Sequence, residues 1–128
     1  MLLGTSRRIV VWAWTKPTDL RKGYNGLYGL VESELGQDPL DGALFVFVNR
    51  RRTSCKVLFW DGTGLCIFQK RLEVGRFACL WRDDDDGGAL KLTTSELQLF
   101  IEGSTLVGRR ELSPKEHGPI VLAERDRV

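Results

Sequence analysis

Histidine and methionine are nearly absent from this chain, one residue each in 128, and there are only three cysteines. The single histidine, His117, lies in a polar stretch between Pro114 and Pro119, and Cys55, Cys66 and Cys79 contain no C-x-x-C pair. Zinc sites draw their ligands from such residues and disulfide frameworks from even cysteine sets, so neither is expected and no cofactor is assigned. The three cysteines read instead as reduced, mostly buried, small apolar residues. An activated serine or cysteine also needs a neighbouring base, and the sequence offers one histidine far from any apolar framework.

Long apolar runs are missing as well. The longest uncharged ones, Ile9 to Trp14 and Ala43 to Val48, are six residues each, against the roughly 20 that a membrane-spanning helix needs. The first eight residues lack the basic-then-apolar order of a secretory signal, so a cytoplasmic protein without a membrane partner is expected. Net charge is only +2, yet residues 1–82 hold 13 Lys/Arg against 7 Asp/Glu, whereas 83–128 hold 6 against 10. The first part therefore suits a polyanionic or acidic partner.

What is present is strand-forming sequence with strong punctuation. Arg8 to Thr15 is β-branched and aromatic and stops at Lys16-Pro17, which reads as a strand. Thr18 as N-cap, followed by Leu20, Tyr24, Leu27, Tyr28, Val31 and Leu35, predicts a helix over 18–35 that closes at Gly36. Gly23, Gly26 and Gly29 recur inside it, and close backbone packing is the expected compensation for their low helix propensity.

Leu44 to Val48 and Cys55 to Trp60 read as strands around the loop Asn49 to Thr53, and Asp61-Gly62-Thr63-Gly64 as a tight turn. That turn predicts Trp60 opposite Leu65, Leu58 opposite Ile67 and Lys56 opposite Gln69. Arg76 to Trp81 and Ala89 to Leu92 are read as further strands, separated by the acidic loop Asp83 to Asp86. Thr93-Thr94-Ser95-Glu96 is a capping box that opens a short helix over 94–102.

The expected architecture is α+β: a curved antiparallel sheet of about five strands, with one longer and one short helix packed on it. Residues 1–110 form the single domain and 111–128 a polar, loosely held tail.

Three chemistries compete. Four consecutive aspartates offer hard oxygens for magnesium, but they repel one another on one Gly-flanked loop, whereas catalytic carboxylates converge from separate elements. A metal-dependent nuclease is therefore the least favoured reading, and no catalytic or metal residue is assigned. The second chemistry is basic: Arg50, Arg51, Arg52, Lys56, Lys70, Arg71 and Arg76 gather beside Phe45, Phe47 and Trp60, a composition suited to nucleic-acid backbone. About four phosphate contacts imply a log–log salt slope near −3.6. The same guanidinium forks grip carboxylates, so a pure protein-interaction adaptor is the alternative.

The phrases Pro17-Thr18-Asp19-Leu20-Arg21-Lys22-Gly23, GALFVFVNRRR, KVLFWDGTGLCIFQKRLEVGRF and ELQLFIEG occur in that order between Trp12 and Gly103. Together they resemble the TnpB (second reading frame) accessory proteins of the insertion-sequence-66 family of bacterial transposable elements. Pro17, Thr18, Asp19, Arg21, Lys22 and Gly23, the arginines after Asn49, the Trp60-Asp61-Gly62 turn and the run Lys70 to Phe77 carry the resemblance. The chain departs from the family pattern at Lys16, where a small residue is usual, and after Phe77, where Trp-Pro is usual. The resemblance implies a non-catalytic product that acts with a separate transposase and another accessory protein, and is unrelated to the RNA-guided nucleases sharing the TnpB label. DNA and a second copy of the chain are further expected partners.

Overall fold

The inner strands form where β-branched and aromatic residues cluster, as in VWAW and LFVFV. The structure, a computed structural model, describes residues 8–81 and 88–103. In chain order the elements are β1 (Val11–Trp14), α1 (Tyr24–Ser33), β2 (Leu44–Val48), β3 (Ser54–Trp60), β4 (Leu65–Arg71), β5 (Ala89–Leu92) and α2 (Thr94–Ile101). The five strands make one sheet in the order β4-β3-β2-β1-β5, an open α+β arrangement with two helices, as expected.

Three of the four pairings are antiparallel; β1 and β2 run parallel, with Val11 beside Leu44 and Ala13 beside Val46. The sheet is therefore mixed. A parallel pair needs a crossover of a dozen residues or more, and α1 supplies it. The β3–β4 register matches the expectation pair by pair: Trp60 opposes Leu65, Leu58 opposes Ile67 and Lys56 opposes Gln69. Asp61 fixes the turn by accepting from the amides of Thr63 and Gly64 at 2.9 and 3.0 Å, and Gly62 takes φ 106°, a region that glycine enters without steric cost.

Both faces of the sheet are covered. On one, Leu27, Val31 and Leu35 from α1 and its exit pack on Phe45, Phe47, Leu58 and Trp14. On the other, Phe77, Ala78, Leu80 and Phe100 pack on Val46, Val48, Cys55 and Val57, and the Phe77 and Phe100 rings stack at 5.1 Å. β2 is buried along its whole length, which explains a run without polar alternation. Burial pushes the Cys55 thiol up to about 12, because a low-dielectric interior disfavours the thiolate.

Several expectations need correction. The first helix begins at Tyr24, with Gly23 as its N-cap, rather than at 18: Thr18 is buried, and its amide donates to the Val48 carbonyl at 2.9 Å. Asp19 accepts the Arg21 amide in a local turn. Close backbone packing does not compensate the glycines: a Cβ on Gly23 or Gly29 would meet nothing within 4 Å, and one on Gly26 would meet the Lys22 side chain at 3.0 Å rather than backbone. Residues 76–81 are irregular rather than a strand, although Phe77 and Leu80 are fully buried. The capping box is present: Glu96 N–H donates to Thr93 Oγ1 at 3.0 Å and Thr93 N–H to Glu96 Oε1 at 2.8 Å. The Asp83–Asp86 run, His117 and the 111–128 tail lie outside the described residues.

Candidate nucleic-acid or partner interface

Parallel pairing of β1 and β2 sends the loops that follow them, 15–23 and 49–53, to the same end of the sheet. The first loop carries Lys16, Arg21 and Lys22; the second carries Arg50, Arg51 and Arg52. The first is tied twice to the strands that flank the second, by the Thr18 amide on the Val48 carbonyl of β2 and by the Lys56 ammonium of β3, which donates to the Lys22 carbonyl at 2.8 Å.

Asn49 organises the arginine loop. Its Oδ1 accepts from the amides of Thr53 and Ser54 at 2.9 and 3.1 Å, and its own carbonyl accepts from Arg52 N–H at 3.0 Å. Arg52 closes the loop with φ 61°, the only positive φ outside glycine among the described residues. Its carbonyl accepts the Phe77 amide at 2.7 Å and its guanidinium donates to the Phe77 carbonyl at 3.1 Å. That clamp brings Arg76 to the same end.

The seven cations named from the sequence thus divide. Arg50, Arg51 and Arg76 are exposed and have no ion pair among the described residues. Arg71 is exposed but pairs with Glu73 at 3.2 Å. Arg52 is the loop clamp. Lys56 is only 8 % exposed and spent on the Lys22 carbonyl. Lys70 donates to the Ile101 carbonyl at 2.9 Å, where a cation meets the negative end of the α2 dipole.

In place of Lys56 and Lys70 the fold adds two exposed cations from the family-signature loop, Lys16 and Lys22. Lys16 stands 5.9 Å from the Trp14 ring. Arg21 is exposed too, but forms a bidentate pair with Asp19, at 3.0 and 2.8 Å, and that guanidinium holds the Asp19 carboxyl well below the usual carboxylate range. Sequence reasoning did not join the two loops. The readable signal was a strand, a helix-length crossover and a second strand, the spacing of a parallel βαβ unit.

The three aromatics named from the sequence do not belong to this surface. Phe45 and Phe47 are fully buried, so they cannot stack on bases. Trp60 ends β3 beside the Asp61–Gly64 turn, at the opposite end of the sheet. What the end of the molecule offers is charge: cations on three loops, held by backbone bonds, with two carboxylates, Asp19 and Glu73, among them.

Fold and surface together define a small α+β module with one cationic end. Its sequence relations say which one. A family model described as IS66 Orf2 like protein matches residues 9–111, and the chain belongs to that family. Two proteins of Sinorhizobium fredii, named as uncharacterized proteins y4hO and y4jC, are 38% and 37% identical to it over 102 residues. Each alignment covers 80% of this chain, and 86% and 85% of the respective relative. No solved structure gives a significant match. Membership carries an accessory role in transposition. Among the described residues no helix is long and apolar enough to cross a membrane.

Proposed function

We propose that the chain is a non-catalytic transposition factor of the cytoplasm that holds DNA, or bridges the transposase to it, through its cationic end. One observation carries the reading: the Pro17–Gly23 loop is bonded to the ends of β2 and β3 that flank the Asn49–Thr53 loop, and Lys16, Lys22, Arg50, Arg51 and Arg76 face solvent at that end. Five cations without an ion-pair partner among the described residues, spread over three loops of fixed backbone, suit a phosphate backbone whose charges recur at regular spacing. Arg71 and Arg21, already paired with carboxylates, contribute less. Such contacts position a protein on a duplex without reading its sequence. The transposase and the second accessory protein of the same element are the protein partners.

Titration of duplex DNA at several salt concentrations tests this. Five contacts predict a log–log slope of about −4.5, and Arg50→Ala with Arg51→Ala reduces it to about −2.7. Binding that ignores both salt and these substitutions would refute the proposal and favour the adaptor reading.

A further inference from the structure

The two edges of the sheet differ. β5 is four residues long and carries exposed Lys91 in its middle, a common guard against edge-to-edge association. β4 has seven residues, no proline, and among the described residues only β3 as a neighbour.

Its would-be guards are held elsewhere. The Lys70 ammonium is drawn onto the Ile101 carbonyl and the Arg71 guanidinium onto Glu73. Two residues before Lys70, Phe68 stands 44 % exposed.

The ladder parity says which backbone groups of β4 face outward. Asp61 N–H donates to the Gly64 carbonyl and Leu72 N–H to the Thr53 carbonyl. Alternation between those two bonds commits Cys66, Phe68 and Lys70 to β3 and turns the amides and carbonyls of Leu65, Ile67, Gln69 and Arg71 to the open edge.

We infer that β4 is a homodimer interface, pairing antiparallel with β4 of a second copy about a two-fold axis at Phe68. The strand is complementary to itself in this register. Ile67 meets Gln69, Leu65 meets Arg71, and Cys66 meets Lys70, so no like charges oppose one another. The outward-facing residues Leu65, Ile67, Gln69 and Arg71 become the hydrogen-bonded pairs. Phe68 falls opposite its own copy in a non-bonded pair, where Cα atoms lie about 4.5 Å apart and side chains meet most closely. Two five-stranded sheets become one of ten strands. Antiparallel pairing also turns the two cationic ends in opposite directions, a consequence that holds whatever those ends bind.

Sedimentation equilibrium of the full chain tests the inference. Wild type is expected at twice the 14.5 kDa chain mass at about 100 µM. Gln69→Pro removes only an outward amide, which edge strands tolerate, and is expected to be monomeric with an unchanged circular dichroism spectrum. Phe68→Lys places like charges opposite each other and is expected to be monomeric too. Phe68→Cys, with Cys66 and Cys79 changed to serine, is expected to oxidise to a covalent dimer, since the Cα spacing suits a disulfide. A monomeric wild type, the result if another segment or another protein occupies this edge, would overturn the inference. So would a dimer that survives both Gln69→Pro and Phe68→Lys.

Discussion

Replacing Arg52 separates structure from binding within the arginine triplet. Its guanidinium donates to the carbonyl of Phe77, the residue that anchors segment 77–80 over the second core. Hydrogen bonds to charged groups contribute about 1.5–3 kcal/mol, and the half-exposed setting of Arg52 lowers that to roughly 1–2 kcal/mol for Arg52→Ala. In a domain of this size the loss shifts the melting temperature by about 5–10 °C. The alanine also keeps the cost of a left-handed backbone. Arg52→Gly loses the same guanidinium but relieves φ 61°, recovering roughly 1 kcal/mol relative to alanine. The expected order of melting temperatures is therefore wild type, glycine, alanine, measured by circular dichroism at low protein concentration. Arg50→Ala and Arg51→Ala, whose side chains are exposed, are expected to leave melting unchanged and to act on DNA affinity alone. An Arg52→Ala protein that melts with wild type, or a glycine variant less stable than the alanine one, would refute the clamp.

Two further outcomes are expected. Gly29→Ala, on an exposed helical position where a Cβ meets nothing, is expected to raise stability by roughly 0.5–1 kcal/mol; chemical denaturation showing a loss would mean that this surface is packed. The amides of Thr63 and Gly64 lower the Asp61 pKa below its ordinary value, so its charge stabilises the fold above about pH 4, the unfolded value, and that contribution fades as pH falls through the lower folded value. Asp61→Asn keeps the acceptor without the charge, so the difference in melting temperature between the two proteins should close on acidification from pH 4; a constant difference contradicts it.

The β3–β4 hairpin and the α2 cap were legible because each rests on neighbours in sequence: an Asp-Gly turn that sets register, and a threonine three residues before a glutamate. The direction of β1 against β2 was not. Direction is not carried by the residues of either strand, and only the length of the connection through α1 speaks for a parallel pair. Thr18 looked like a helix cap because local chemistry allows it, but its amide is claimed by Val48, 30 residues on. Residues 76–81 looked like a strand because they are apolar; Phe77, Ala78 and Leu80 are indeed buried, without the period of two. In the cationic surface, Arg76 was read as opening a strand, whereas exposed Arg50 and Arg51 were readable as charges in a loop. Lys56 and Lys70 were not, since each amine ends on a carbonyl more than 30 positions away.

The strand nearest the start of the chain has one neighbour supplied by its far part: Thr15 meets Gly88 across 73 positions. β2, β3 and β4 are consecutive and form a meander, whereas one flank of β1 is covered only by β5, the latest of the five strands in sequence. A chain ending before Ala89 would leave β1 as a bare edge strand and have no α2 to roof the apolar face around Phe77. An unpaired edge beside an uncovered apolar face would favour aggregation and proteolysis of such a product.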